Sequence, residues 1–335
     1  MTLRTKTALA LDLRVERFAY HQPFRISGHV FTETALLVAI LSDGEHVGRG
    51  EGAGVYYLGD DIDHMLAEAE NVRTAVERGA SRVDLQGLLP PGGARNALDC
   101  AYWELEAKQA GRPVWELAGV ESPRPLLSTL TLGADTPAAM AAAAKALDPL
   151  APVKVKLTGD LDDDIARLEA IREARPEAWI GVDANQGYDL VTLPKLMPVL
   201  FDLKIAQLEQ PLKRGHESDL DGFKRSIPFV ADESAVTLAD TAKLVGRFDI
   251  VNIKLDKCGG LTEGLAIARE ARLLGLGVMV GNMMGSSLSM APSFVLGQLC
   301  DIVDLDGPTF LAQDRVPGVS YREGRVHCPA EVWGS

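Results

Sequence analysis

The sequence has few cysteines and no long uninterrupted apolar segment. Its four cysteines lie far apart, at Cys100, Cys258, Cys300 and Cys328. No CxxC pair or zinc-type histidine spacing accompanies them, so we expect reduced thiols in a cytoplasmic protein and no zinc site. No run of about 18 apolar residues occurs, and Asp12 and Arg14 interrupt the apolar stretch near the start. We therefore expect neither a membrane span nor a secretory signal.

Positive charge is also in short supply. The 335 residues include 34 Lys plus Arg against 47 Asp plus Glu, giving a formal net charge of −13. This balance argues against nucleic acid or an anionic membrane surface as the main partner. Hydrophobic residues make up 47 % and charged residues 24 %, as in ordinary globular proteins. The length predicts roughly two domains, with a core large enough to fold without a staple.

The first third of the chain has the pattern of an α+β domain. Residues 35–41 are an apolar run followed by Ser42-Asp43-Gly44, which is typical of a hairpin. Residues 61–78 and 94–110 have the apolar spacing of amphipathic helices. The alternating glycines of residues 48–54 have the wrong spacing for a nucleotide-binding motif, and we interpret them as a turn.

From about residue 125, short apolar strands alternate with helical stretches such as 161–175 and 261–274. The predicted strands are 127–133, 153–157, 179–185, 205–211, 229–234, 250–256, 277–283 and 302–308. Eight strands alternating with helices predict a parallel (β/α) barrel rather than an open doubly wound sheet, which remains the alternative.

Charged residues cluster at the C-terminal ends of six of these strands. They are Lys154 and Lys156, Asp183, Glu209, Asp232 with Glu233, Lys254 with Asp256, and Asp304 with Asp306. Any single one is best explained as a solvated loop charge. In a barrel, however, all C-terminal strand ends open onto one face, where catalytic residues come from several strands. The shared position therefore predicts an active site at that face.

Three of these acids, Asp183, Glu209 and Asp232, come from three successive predicted strands. Three converging carboxylates suit Mg²⁺, which prefers hard oxygen ligands and leaves positions for substrate oxygens. The absence of histidine from the set disfavours Zn²⁺ and non-haem iron. Salt bridges between these acids and the lysines are the alternative interpretation.

The lysines belong to predicted strands 2 and 6, which lie across the barrel mouth from each other. Lys154 and Lys156 project to the same face because they are two residues apart, and Lys254 faces them. Two bases beside a metal-held carboxylate would remove a proton from one side of a carbon and return it on the other. A nearby cation and desolvation would lower the lysine pKa towards that role. Schiff-base chemistry is the alternative, but it explains neither the acids nor the second lysine.

The ordered motifs at these strand ends resemble the enolase superfamily, muconate-lactonising subgroup, over nearly the whole chain. They are Lys154-Val155-Lys156, Val182-Asp183-Ala184-Asn185, Glu209-Gln210-Pro211, Ala231-Asp232-Glu233-Ser234 and Asn252-Ile253-Lys254. The resemblance implies an α+β capping domain (1–120), a (β/α)7β barrel (121–320) and a C-terminal tail (321–335) that packs back on the cap. It also implies Mg²⁺ held by the three acids, Lys156 and Lys254 as the acid/base pair, and Lys154 supporting the enolate.

Asp304-Leu305-Asp306 resembles the Asp-x-Asp of dipeptide epimerases in this subgroup, whose carboxylates hold the substrate's α-ammonium group. Two acids on one face of a strand end make a cation site, the alternatives being a helix cap or an arginine partner. The resemblance implies epimerisation of the C-terminal residue of an L,L-dipeptide, with Thr129 also at the substrate. An N-acylamino-acid racemase, an o-succinylbenzoate synthase and a muconate-type cycloisomerase remain alternatives.

The resemblance also bears on the substrate side chain. Relatives specific for Ala-Glu place an arginine in the capping loop, at a position that falls near Phe31 or His29 here, with Arg25 the nearest arginine. An aromatic residue there favours an apolar or aromatic second residue, because an unpaired substrate carboxylate is costly. An Arg25 side chain that reaches in from the neighbouring turn would leave Ala-Glu open as the substrate. These three residues are thus candidate substrate contacts, and a homo-oligomer is expected because relatives often form one.

Overall fold

The structure is a computed structural model that describes residues 8–26 and 29–335. Three antiparallel strands begin the chain: β1 (Ala10–Ile26), β2 (His29–Ser42) and β3 (Val47–Ala53). Four helices and a short strand follow: α1 (Ile62–Glu77), α2 (Arg82–Leu88), α3 (Gly93–Ala110), α4 (Val114–Leu117) and β4 (Leu126–Leu127). The predicted hairpin corresponds to β2 and β3, and the two predicted helices correspond to α1 and α3.

The glycine-rich segment is a strand, so its interpretation as a turn was wrong. Residues 48–53 lie in β3, and alternate glycines of this strand face α3. A Cβ atom on Gly50 would lie 2.0 Å from the carbonyl oxygen of Ala97, and one on Gly52 would lie 2.1 Å from that of Gly93. Glycine at these positions therefore lets the backbone of α3 pack directly on the strand.

The barrel consists of eight parallel strands in sequence order: β5 (Leu130–Leu132), β6 (Val153–Lys156), β7 (Ile180–Asp183), β8 (Gln207–Glu209), β9 (Phe229–Ala231), β10 (Ile250–Ile253), β11 (Gly277–Val280) and β12 (Ile302–Val303). A hydrogen bond from the Thr129 amide to the Val303 carbonyl, 3.0 Å long, joins the first strand region to the last. The predicted barrel, rather than the open sheet, is confirmed.

Helices lie between the successive strands of the barrel. They are α5 (Pro137–Ala146), α6 (Leu161–Ala174), α7 (Leu193–Asp202), α8 (Leu238–Thr241), α9 (Leu255–Cys258), α10 (Leu261–Leu273) and α11 (Ser287–Gly297). The crossover from β8 to β9 contains a 3₁₀ helix, Glu217–Leu220. No helix in the described ranges is long and apolar enough to span a membrane.

Strand alternation places the site residues inside the barrel mouth. In β6, Val153 and Val155 belong to the hydrophobic core, whereas Lys154 and Lys156 line a cavity. Successive residues of a strand point to opposite faces. One face of β6 therefore packs in the hydrophobic core, and the other places two lysine side chains in the cavity wall.

The C-terminal residues contact two parts of the molecule. Strands β13 (Ser320–Arg322) and β14 (Arg325–His327) form an antiparallel sheet with β4. Farther on, the Trp333 indole donates to the Arg49 carbonyl at 2.8 Å, and the Gly334 amide donates to Glu104 at 3.3 Å. Arg49 and Glu104 belong to β3 and α3, so the chain ends against the cap.

Candidate active site and metal centre

A cavity of about 470 Å³ lies between the barrel mouth and the N-terminal sheet. The barrel contributes charged groups to its wall, including Lys154, Lys156, Asp232, Lys254, Asp304 and Asp306. The N-terminal part contributes mainly aromatic side chains, including Tyr20, Phe24, Phe31, Tyr56 and Tyr57. The predicted catalytic lysines and both candidate ammonium-binding acids therefore line one space.

The three predicted metal ligands converge. Asp183 and Glu209 end β7 and β8, and Asp232 follows β9, so three neighbouring strand ends each supply one carboxylate. Each residue offers an oxygen within 4.8 Å of the others, and all three are at most 1 % exposed.

The donor set fits Mg²⁺, because it consists only of carboxylate oxygens. Glu209 Oε2 accepts no hydrogen bond of good geometry within the described residues, although Lys154 Nζ lies 2.8 Å away as an ion pair. The other oxygen of Glu209, Oε1, accepts a hydrogen bond from the side-chain amide of Asn252 at 2.8 Å, which fixes the orientation of the carboxylate. A buried oxygen held in place and left without a hydrogen bond is suited to a metal ion.

Two lysines meet Asp232 from β10 and α9. Lys254 Nζ lies 2.7 Å from Asp232 Oδ2, and Lys257 Nζ lies 2.6 Å from Oδ1. Burial alone would raise the pKa of Asp232, but the two ammonium groups outweigh it and hold the pKa well below its ordinary value. Burial likewise would lower the pKa of Lys254, but Asp232 raises it above the ordinary value. The neighbouring acids, rather than desolvation, therefore decide the direction in which the Lys254 pKa is shifted.

The β6 lysines face the acids from the opposite side. Lys156 Nζ lies 2.6 Å from Asp183 Oδ2. Lys154 Nζ lies 2.8 Å from both Glu209 and Asp304, so it links the metal ligands to the Asp-x-Asp pair. Because β6 and β10 are the second and sixth of eight strands, the two predicted bases approach the acids from across the mouth.

The Asp-x-Asp pair is held by β5 and its preceding residues. Thr129 donates to Asp304 Oδ1 at 2.6 Å, and the Thr131 amide donates to Asp306 Oδ2 at 2.6 Å. Burial, followed by the charge of Asp304, raises the pKa of Asp306 to about 7. Thr129 is buried and lies behind Asp304, so its hydroxyl orients that carboxylate. Thr131 lines the cavity, whereas Thr129 does not.

Of the three predicted specificity residues, the structure describes the side chain of Phe31. Phe31 lines the cavity and packs against Tyr56, with ring centroids 5.7 Å apart. Arg25 and His29 lie on β1 and β2, but their side chains fall outside the described part of the structure.

Sequence reasoning missed Tyr56, Tyr57 and Lys257. The two tyrosines follow β3 in a single 3₁₀ turn, where no periodic pattern assigns a direction to a side chain. Lys257 follows Lys254 by three residues, the spacing of neighbours on one helix face, which is the signal that could have found it.

The chain matches two families that together span most of its length. Residues 11–119 match the N-terminal domain of mandelate racemase / muconate lactonizing enzymes, and residues 138–331 match the enolase C-terminal domain-like family. The chain belongs to the mandelate racemase / muconate lactonizing enzyme family. This membership confirms the resemblance that the strand-end motifs indicated.

Relatives within the family act on different substrates. The L-Ala-D/L-Glu epimerase of Escherichia coli is 37 % identical over 314 residues, covering 93 % of this chain and 97 % of the relative. An N-acetyl-D-glutamate racemase of Pseudoalteromonas is 38 % identical over 303 residues, covering 89 % and 95 %.

A solved family member has nearly the same fold. It is an enolase family protein from Agrobacterium tumefaciens with homology to dipeptide epimerases, solved with sodium and L-Ala-L-Glu. Its TM-score is 0.94 at 38 % identity, covering 97 % of this chain and 100 % of that one.

Proposed function

We propose that this family member is a Mg²⁺-dependent dipeptide epimerase that inverts the α-carbon of the substrate's C-terminal residue. The observation that carries the proposal is the joint position of two amines, three metal-ligand acids and the Asp304/Asp306 pair. Lys156 and Lys254 approach the metal ligands from opposite strands, while Asp304 and Asp306 line the same cavity.

The lysines supply the proton transfers. Lys156 and Lys254 are ion-paired with the metal ligands Asp183 and Asp232, so either lysine would become a neutral base once these acids hold the metal instead. The neutral amine accepts the α-proton, and the ammonium group of the other lysine delivers a proton to the opposite face. Lys154 places positive charge beside the substrate carboxylate as that group gains electron density. When bound, Mg²⁺ supplies further positive charge that favours the enolate form of the carboxylate. Interchange of the two lysine roles makes the reaction run in both directions.

Asp304 and Asp306 select the free amino end of the dipeptide. Their carboxylates can accept charge-assisted hydrogen bonds from an α-ammonium group. An N-acylated substrate has no such cation. Its binding would leave Asp304 with Lys154 and Thr129, but Asp306 with only Thr131 among the described residues. N-acylamino-acid racemisation is the second candidate, favoured by the identity to the Pseudoalteromonas racemase.

The aromatic wall favours an apolar or aromatic C-terminal side chain. Phe31 and Tyr56 form a tilted aromatic pair in the cavity, and Glu33, which is ion-paired with Arg17 at 2.9 Å, lines the same wall. A substrate glutamate would meet aromatic rings there, which is unfavourable for a desolvated carboxylate. L-Ala-L-Phe is therefore a better match than L-Ala-L-Glu.

The test is α-proton exchange in D₂O with Mg²⁺, read by mass across L,L-dipeptides and their N-acetyl forms. We expect deuterium in L-Ala-L-Phe and none in N-acetyl-L-Ala-L-Phe, and less turnover of L-Ala-L-Glu. The F31R variant should shift the preference towards L-Ala-L-Glu. Exchange only in N-acetylated substrates would contradict the proposal and support the racemase.

Cytoplasmic location, a homo-oligomeric state and the domain limits at residues 120 and 320 belong to the same proposal. The acidic composition and free thiols support the location. Analytical ultracentrifugation would test the oligomeric state, and limited proteolysis would test the two domain boundaries.

A further inference from the structure

The Tyr57 hydroxyl is a buried donor that the mechanism above does not use. It lines the cavity, yet it has no hydrogen-bond partner within the described residues. Leaving a buried polar group unpaired costs about 1–3 kcal/mol, so such a group usually has a functional reason or a missing partner. Because Tyr57 lines the substrate cavity, a group on the substrate is the partner that we consider for its hydroxyl.

The tyrosine stands on a firmly held turn. The amides of Leu58 and Asp60 donate to the Val55 carbonyl at 2.8 and 3.3 Å, and Val55 is fully buried. Asp60 in turn accepts from the Gly93 amide at 2.9 Å, which fixes the turn to the start of α3. The hydroxyl therefore keeps its position without a bond of its own.

Tyr57 lines the same cavity as Asp232, one of the three predicted metal ligands. Burial is the main cause that raises the pKa of Tyr57 well above its ordinary value, followed by the charges of Asp232 and Glu233. The phenol consequently stays protonated, and the partner that its hydroxyl needs is a hydrogen-bond acceptor. Among the groups of a bound dipeptide, the carboxylate is the acceptor that belongs beside the metal ligands and the three lysines.

We infer that the Tyr57 hydroxyl donates a hydrogen bond to the carboxylate of the substrate's C-terminal residue, an inference that rests on the proposed function. Loss of the α-proton increases the negative charge on that carboxylate, so the bond strengthens on the way to the enolate. Tyr57 is then a catalytic residue supplied by the cap, opposite the amines supplied by the barrel. The bond should affect kcat more than KM.

A matched pair of tyrosines tests the inference. Tyr102 is also a phenol of the N-terminal region, but its hydroxyl donates to the Ala80 carbonyl at 2.7 Å and does not line the cavity. For Tyr57→Phe we expect kcat for L-Ala-L-Phe to fall about 10- to 100-fold, with KM changing less than about threefold. For Tyr102→Phe we expect unchanged kinetics.

Thermal unfolding without substrate should give the reverse order. Tyr57→Phe removes an unpaired hydroxyl, so its Tm should equal or exceed that of the wild type, whereas Tyr102→Phe should lower Tm by about 2 °C. An equal loss of Tm in Tyr57→Phe would reveal an internal partner and overturn the inference. Retention of kcat within about threefold would overturn it as well.

The two arms also separate this inference from the proposed function. A wild-type protein that exchanges no α-proton of L-Ala-L-Phe contradicts the proposed substrate class. The unfolding arm then decides the Tyr57 assignment: an undiminished Tm in Tyr57→Phe supports a hydroxyl kept free for a ligand, and a lowered Tm contradicts it.

Discussion

The two walls of the cavity are built on different principles. On the barrel side each lysine of the cavity wall is paired with an acid: Lys156 with Asp183, Lys254 with Asp232, and Lys154 with Glu209 and Asp304. On the capping side the wall is largely aromatic and includes the unpaired hydroxyl of Tyr57. The barrel thus fixes the chemistry by reciprocal pairing, while the cap leaves room for groups that the substrate completes.

Removal of one barrel lysine should have the largest effect on this contrast. Lys254→Met removes one of the two proton carriers, and general acid–base catalysis contributes about 10²–10⁴-fold, so epimerisation should fall by about 10³-fold. The remaining Lys156 should still exchange the α-proton of one diastereomer without inversion. Lys156→Met should show the same loss with exchange of the other diastereomer. NMR in D₂O measures both quantities.

A surface lysine supplies the control. Among the described residues, Lys243, on the turn after α8, forms an ion pair only with Asp240 of α8. Its side chain is 68 % exposed, so Lys243→Met should keep full activity. Exchange of the same diastereomer by both barrel variants would mean that the two amines do not face opposite sides of the carbon.

On the capping side, the substitutions that disturb packing should instead lower the stability of the fold. Gly50→Ala places a Cβ atom 2.0 Å from the Ala97 carbonyl oxygen, so strand and helix must separate, at a cost of about 3 kcal/mol. Gly87→Ala, in α2 with nothing within 4 Å of the new atom, should stabilise by about 0.5–1 kcal/mol. Urea denaturation measures both. Equal stabilities of the two variants would show that the glycines do not set the distance between β3 and α3.

The same contrast explains what the sequence could predict. Lys156, Asp183 and Glu209 end apolar strands, and regular alternation of strand and helix carries such ends to one face. Their convergence was therefore readable from spacing. The motifs added their chemical roles, which stay predictions residue by residue.

The rest depended on contacts between distant segments. The residues around Gly50 are compatible with either a turn or a strand packed on a helix. The atom that requires glycine there is the carbonyl oxygen of Ala97, which is distant in sequence. Thr129 was assigned to the substrate, but it lies behind Asp304, 175 residues away in sequence. Tyr57 gained its position from a turn held by Val55 and Gly93. Such tertiary placement has no periodic signal.

A smaller effect should come from titration of the ammonium site. Asp306 binds a cation only when ionised, and burial raises its pKa to about 7. The apparent kcat/KM, which reports the free enzyme, should therefore increase as pH rises through about 7. Asp306→Asn should remove this step from the profile and raise KM about 10-fold. Asp219→Asn, at the exposed 3₁₀ turn, should leave the profile unchanged. A step that persists in Asp306→Asn would assign it to another group.

The smallest effect concerns the contact that joins the two walls. Asp256 Oδ1 accepts from the Ala53 amide and the Asn96 side chain, each at 2.8 Å. Burial raises its pKa from 3.8 to about 6, so the folded state favours the neutral acid. That contribution to stability is complete below about pH 4 and is lost as pH rises through about 6.

Asp256→Asn keeps an acceptor oxygen for both donors but cannot ionise. Its stability relative to the wild type should therefore rise between about pH 4 and 6 and then level off. The new amide NH₂ is itself buried and needs an acceptor, which offsets part of the gain and leaves about 1 kcal/mol at pH 7. Tm measured across this pH range tests the sign. A variant less stable than the wild type above pH 6 would mean that the charge of Asp256 itself holds the cap on the barrel, and that pairing, not burial, governs the contact between the two walls.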